Sequence, residues 1–161
     1  MPISHVKCRE IQAPIAAMLI RGFIEEFGYD ETLDIVKRLA QADAKLAAGQ
    51  LAERFGGNDM RTLARIVREV WSEDDAMEFD VIAENDHEFR FNVTKCGYAE
   101  VYRKLDVMDF GYCLSCCRDE PFVESFNPDF RLLRTKTIME GKEVCDFHMI
   151  AKRNKVDLFS S

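Results

Sequence analysis

Two hydrophobic periods divide the chain. Across residues 13–28, "APIAAMLIRGFIEEFG", apolar side chains fall at Ile15, Met18, Leu19 and Phe23, the spacing of one helix face. Pro14 suits the first turn of that helix and Gly28 its C-cap. Asp30 fits the N-cap of a second helix, long and Ala-rich, that runs to Gly56 and Gly57. Asn58 or Asp59 fits the cap of a third, where Leu63, Ile66, Val67 and Val70 form one apolar stripe that Trp71 extends. The period then drops to two. Met77, Phe79, Val81 and Ala83 share one side of a strand; after the turn "AENDHE", Phe89, Phe91 and Val93 share one face of the next. Arg90, Asn92, Thr94 and Cys96 take its other face, which is either solvated or the floor of a site.

"GYAEVYRKLDV" and "DFGYCLSCCRDEPFVESF" each predict a helix. "DFRLLRTKTIM", the turn "EGK" and "EVCDFHMIAK" predict a second hairpin. Helices, hairpin, helices, hairpin is the order of an α+β fold: N-terminal helices packed with an antiparallel sheet of about four strands. No repeat or linker interrupts it. The expectation is a single domain over 1–161, helical in 1–74, hairpin–helices–hairpin in 75–152, with a tail over 153–161.

Composition narrows the class. The 161 residues are 47% hydrophobic, enough for a sizeable core, and the formal net charge is −7. An acidic balance argues against a nucleic-acid partner. The basic run "AKRNK" near the end reads as a solvated tail. No apolar run approaches the ~20 residues of a membrane span, so no membrane partner is expected. The start "MPISHVKCRE" lacks the basic-then-apolar order of a secretory signal. A cytoplasmic location is the default, and there the six cysteines, Cys8, Cys96, Cys113, Cys116, Cys117 and Cys145, are expected as thiols.

Residues 112–120, "YCLSCCRDE", concentrate sulfur beside acid. Cys113 and Cys116 are spaced C-x2-C, and Cys145 and His148 C-x2-H, together mimicking a four-ligand zinc list. On a strand, however, Cys145 and His148 point to opposite faces. A C-x-x-C redox pair belongs at the helix start of a βαβ unit, which the pattern does not contain. Cys8, Cys113 and Cys117 read as small apolar core residues. His148 on a strand reads as a structural residue, and Trp71 and the phenylalanine stripes as core.

"FNVTKCGYAEVYRKL", then "CRDE" preceded by Cys116, then "RTKTIMEGKEVCDFHM" resemble the L-2-amino-thiazoline-4-carboxylic acid hydrolase family of small bacterial proteins. The matching positions are Cys96, Tyr98, Cys116, Asp119, Arg134, Thr135, Thr137, Gly141, Cys145, Asp146 and Phe147, within residues 89–149. The doubled Cys116–Cys117 departs from the pattern; spacing to Asp119 selects Cys116. The resemblance implies a hydrolase that opens a small cyclic isothiourea or amidine carboxylate at a C–S or C–N bond, with no cofactor and no obligatory metal. It implies Cys116 and Asp119 as catalytic residues. Asp119 would hold the amidinium or act as base toward water or Cys116. Arg134 would take the substrate carboxylate, and Cys96, Tyr98, Thr135, Thr137 and Cys145 would line the site. Asp146 either contributes or braces the hairpin.

Two other functions fit the pattern. The helix-plus-sheet order with a Cys-lined cavity also resembles the vinyl-reductase-type ligand-binding domains, which would make the chain a non-catalytic sensor or binding module. A thiol-ligated zinc or iron–sulfur module is the other. A small-molecule substrate is the expected partner, and an exposed apolar helix face or the "VDLFSS" tail would serve a homodimer.

Overall fold

The computed structural model describes residues 3–152, and the tail with its "VDLFSS" end lies outside them. Helices α1 (His5–Phe27) and α2 (Tyr29–Phe55) form a hairpin. They turn at Gly28, whose φ of 89° is one that other residues rarely adopt. Asp59 caps α3 (Met60–Ile66), its side chain accepting from Thr62 N–H at 2.7 Å. The same helix continues through a π-helical turn, Val67–Trp71. Strands β1 (Met77–Glu84) and β2 (Glu88–Cys96) follow, then α4 (Gly97–Lys104) and α5 (Met108–Leu114). A 3-10 turn at Cys116–Arg118 leads into α6 (Asp119–Phe126). The described chain closes with β3 (Phe130–Leu133), a 3-10 turn at Ile138–Glu140 and β4 (Cys145–Ala151).

The α+β fold is present as expected: one antiparallel four-stranded sheet, in the order β1-β2-β4-β3. Phe91 lies opposite Phe147, Phe89 opposite Met149 and Val93 opposite Cys145, all facing the helices. The Phe91 and Phe147 rings stack, with centroids 4.9 Å apart. Against this face pack Leu63, Ile66, Val67 and Trp71, together with Phe122, Val123 and Phe126 of α6 and Ala44 and Ala48 of α2. Each large side chain fully buried here contributes roughly 1.5–3 kcal/mol. A second cluster joins Ala13, Ala17 and Ile20 of α1 to Tyr98, Ala99 and Tyr102 of α4. No described helix is long and apolar enough to cross a membrane.

Several local expectations are corrected. The stripe Ile15, Met18, Leu19 and Phe23 faces outward, each residue half or more exposed. The side of α1 that is buried is the alanine side, because small residues let helices approach closely. Helix α1 begins at His5, so Pro14 lies inside it, on the exposed face where its missing hydrogen bond costs least. Asp30 sits in the first turn of α2 rather than at its cap. Val81 pairs with buried Phe91 yet is exposed, because β1 is an edge strand of the sheet; the extra residue Ile82 then turns Ala83 to the side of Arg90.

The helix expected over 109–126 breaks at Ser115 (φ −123°, ψ −71°) into α5, the 3-10 turn and α6. The first strand of the second hairpin stops at Leu133. Arg134, Thr135 and Thr137 therefore lie in a connection, held by side chains instead of a ladder. The Asp146 carboxylate accepts from Thr135 N–H (2.9 Å), Thr135 Oγ1 (2.6 Å) and Lys136 N–H (2.6 Å). The Cys145 sulfur accepts from Ile138 N–H at 3.1 Å.

Candidate active site

A cavity of about 90 Å³ lies between the apolar face of the sheet, α2, the π-helical turn, the start of α1 and the α5–α6 junction. That is less than the roughly 150 Å³ of an apolar cavity known to take up benzene, which sets the scale of a ligand at a small molecule. Val93, Cys145 and Phe147 form its floor, Val70 and Trp71 one wall, and Cys96 and Tyr98 the strand-to-helix corner. Ser115, Cys116, Arg118 and Asp119 come from the broken helix, Arg134 from the connection after β3, and His5 and Arg9 from α1.

The floor is the apolar face of β2, not its polar face. Alternation along β2 slips between Thr94 and Lys95, both exposed, where β2 carries one extra residue against β1: Phe79 pairs with Val93 and Glu78 with Lys95. That half-step turns Cys96 off the face of Arg90 and Asn92 and onto the cavity side. Its sulfur accepts from Ala99 N–H at 3.4 Å and so caps α4. The π-helical turn has a matching effect at the other wall, since an extra residue per turn re-aims the side chains that follow. It sets Trp71 over Phe122 and Phe147 and leaves the Trp71 carbonyl to accept from the Tyr98 hydroxyl at 2.9 Å.

Tyr98 has one hydroxyl proton, and it goes to Trp71. The contact of His5 Nδ1 with the Tyr98 oxygen, 3.2 Å, is then donated by Nδ1–H. That tautomer leaves Nε2 as the acceptor of the ring. Burial lowers the His5 pKa to about 4, helped by the charges of Arg9 and Arg118. The imidazole is neutral at physiological pH.

Asp119 and Arg134 form a buried ion pair inside the cavity lining. Arg134 Nη1 donates to Asp119 Oδ2, and Nη2 to the Cys116 carbonyl at 2.9 Å. The guanidinium also lies over the Phe147 ring, 5.0 Å from its centroid. Burial raises the Asp119 carboxyl above the usual carboxylate range while Arg134 pulls the other way. Burial works against the Arg134 charge, but Asp119 outweighs it and the guanidinium is held firmly protonated.

The sulfurs of the lining are thiols. Burial, and then the charge of Asp119, pushes Cys116 far above the ordinary thiol range. Burial also raises Cys96, and takes Cys145 to about 11. Cys117 turns away, its thiol donating to the Cys113 carbonyl at 2.8 Å. Of the doubled pair, Cys116 is the one on the cavity.

Of the residues singled out from sequence, Cys96, Tyr98, Cys116, Asp119, Arg134 and Cys145 line one cavity. Thr135 and Thr137 do not, contrary to expectation. Thr135 is exposed against Asp146; Thr137 is buried, its hydroxyl donating to the Glu140 carboxylate at 2.7 Å and accepting from Glu140 N–H. Asp146 braces the connection. Arg134 was expected to await a substrate carboxylate, but its fork is engaged by Asp119 and Cys116. His148 pairs with Glu88 at 2.8 Å. The zinc-like spacing does not assemble: among the described residues no three His, Cys, Asp or Glu side chains are placed to hold a metal ion.

The sequence reading missed His5, Arg9 and Arg118. Arg118 pairs with Asp43 and donates to the Ala40 carbonyl at 3.1 Å, tying the 3-10 turn to α2. Arg9 donates to Gln12 at 3.3 Å, and among the described residues no carboxylate lies within ion-pair distance of it. Burial, then the neighbouring Arg118 charge, lowers its pKa. No local pattern marks Arg9, which stands more than eighty residues before the nearest sulfur of the cavity.

No match was found among curated proteins. Among solved structures, the phenol-responsive sensory domain of the transcription activator PoxR, bound to phenol, superposes with a TM-score of 0.57 at 7% identity. That match covers 94% of this chain and 76% of the other. A trafficking protein particle complex subunit 3 from Naegleria fowleri, covalently bound to palmitic acid, superposes with a TM-score of 0.52 at 9% identity. It covers 89% of this chain and 97% of the other. At such identities these likenesses concern the fold alone. The sequence itself matches a described family from residue 8 to residue 149, nearly its whole length, and the chain belongs to the L-2-amino-thiazoline-4-carboxylic acid hydrolase family.

Proposed function

We propose that the chain hydrolyses a small cyclic isothiourea bearing a carboxylate, of the kind its family name describes. One observation carries this reading. Three guanidinium groups, Arg9, Arg118 and Arg134, and a single carboxylate, Asp119, line one small cavity in a chain of net charge −7. Such a lining favours a small anion, and Asp119 supplies the carboxyl that an amidine or an attacking water needs.

In this reading Arg9, flanked by Arg118, takes the substrate carboxylate in a charge-assisted pair. Arg134 positions Asp119 through its fork. Water adds through oxygen to the carbon between sulfur and the two nitrogens. The ring C–S bond breaks as the carbonyl forms. Of the two protons of the water, one ends on a nitrogen and the other on the departing sulfur, with Asp119 as the relay. Its raised pKa brings it nearer the operating pH, where a relay works best. Cys116, held as a thiol, packs beside the reacting carbon.

The test is incubation of the purified protein with L-2-amino-thiazoline-4-carboxylate, following the released thiol and the gain of one water by mass. Turnover is expected in wild type. Asp119→Asn should lose it by roughly a thousandfold and Cys116→Ala should lose most of it, both with the thermal transition retained. Full activity in both variants would overturn the assignment.

A second reading is binding without turnover. Asp119 is already paired with Arg134, and the Cys116 thiol is far from ionising. Saturable binding of the same compound by calorimetry, with no product over hours, would select it.

A further inference from the structure

Helix α1 is apolar on two opposite faces. One packs inward through Ala13, Ala17 and Ile20; the other presents Ile11, Ile15 and Met18 to solvent, 55–65% exposed. Helix α2 repeats the arrangement. Ala44 and Ala48 are buried, while Ile35, Leu39 and Leu46 stand 42–69% exposed. Phe23 and Phe27, also exposed, pack on each other around the flank of α1.

The spacing on both helices is that of helix–helix seams. Ile35, Leu39, Ala42 and Leu46 follow four, three and four residues apart; Ile11, Ile15, Met18 and Gly22 do the same. Alternating steps of three and four are the signature of knobs-into-holes packing against another helix. Within the described fold no helix covers either stripe.

We propose that this outer face of the α1–α2 hairpin is the contact between two copies of this chain, closing a four-helix layer about a two-fold axis. The area is right for it. The exposed portions of Ile11, Ile15, Met18, Leu19, Ile35, Leu39 and Leu46 amount to on the order of 800 Å². The largest apolar patch on a typical monomer is about 300–600 Å², and a stable interface buries about 800 Å² per partner. A two-fold contact needs a self-complementary patch, and an apolar stripe on each of two adjacent helices provides one. A membrane surface is the poorer occupant. Interfacial helices are rich in Lys and Arg around their apolar stripe, whereas α1 and α2 carry eight acidic residues against seven basic ones, with Glu25, Glu26, Asp30, Glu31 and Asp34 gathered at their turn. The inference is independent of the chemistry in the cavity.

The experiment is sedimentation velocity on the full chain at micromolar concentration, beside far-UV circular dichroism. Wild type should sediment at twice the 18.6 kDa of one chain. Met18→Glu on α1 and Leu39→Glu on α2 should each weaken dimerisation on the order of thirtyfold or more with helix content retained. Both side chains are about two-thirds exposed in a monomer, so the helices keep their packing. Val81→Glu, at an exposed apolar residue of β1, should leave the dimer intact. A monomeric wild type overturns the proposal, as do species larger than a dimer or a dimer indifferent to both helix variants. Recruitment of wild type to phosphatidylcholine–phosphatidylglycerol vesicles in place of self-association also overturns it.

Discussion

Arg9 and Arg134 bring the same charge to one cavity under different conditions. Arg134 is neutralised by Asp119, so its role toward a ligand is to hold that carboxylate in place. Among the described residues Arg9 donates only to Gln12, and a half-buried guanidinium with no carboxylate on it is open to an anion. Arg9→Met should therefore raise KM for a carboxylate substrate about 10–100-fold, the worth of one charge-assisted pair, with kcat little changed. Initial-rate kinetics read both numbers, and an unmoved KM would return the anchor to Arg134 or Arg118. The contrast was not legible from residue type. Sequence gives two arginines; only their surroundings tell which one is spoken for.

Among the elements, the short ones around the cavity matter most, and they are where periodicity misled. The 109–126 segment has the composition of one helix, yet Ser115 breaks it and places Cys116 and Asp119 on a 3-10 turn and the first turn of α6. Residues three apart still face the same way on such a turn, so the pairing of sulfur and carboxylate survived the wrong element. The corner between β2 and α4 is more exacting. A Cβ on Gly97 would sit 3.0 Å from the Ala76 carbonyl oxygen and 3.3 Å from Ala76 Cα, backbone atoms that cannot swing aside. Gly97 N–H also donates to that oxygen at 2.7 Å. Gly97→Ala should destabilise by about 1–3 kcal/mol from overpacking, against the usual gain of Ala over Gly in a helix. Urea denaturation measures it. The strain should also weaken ligand binding, because Cys96 and Tyr98 flank the position on the cavity wall.

At the scale of the whole molecule, the cavity couples to stability through His5. In the unfolded chain its imidazole titrates near 6.5; folded, it is held at about 4 by burial and by Arg9 and Arg118, with Asp43 opposing. Between those values the unfolded state binds a proton that the folded state refuses. Stability is therefore complete above pH 6.5 and falls as pH drops toward 4, by up to about 3 kcal/mol. His5→Gln should flatten that limb, and the melting temperature of both proteins across this range shows whether it does.

The sequence by itself determined the α+β order, the antiparallel hairpin of Phe89, Phe91 and Val93, the helix stops at Gly28 and Gly56, and six side chains that meet in the cavity. These follow from period and from motif, which are local or carried by resemblance. Three things were decided only by the tertiary structure: which face of α1 is buried, which side of β2 the Cys96 sulfur takes, and that α1 closes the site with His5 and Arg9. An amphipathic stripe states that a face will be covered without naming its cover. A one-residue slip reverses a strand's faces without altering its composition. A cation on a distant helix becomes a ligand group only when packing brings it to the cavity and leaves it without a carboxylate.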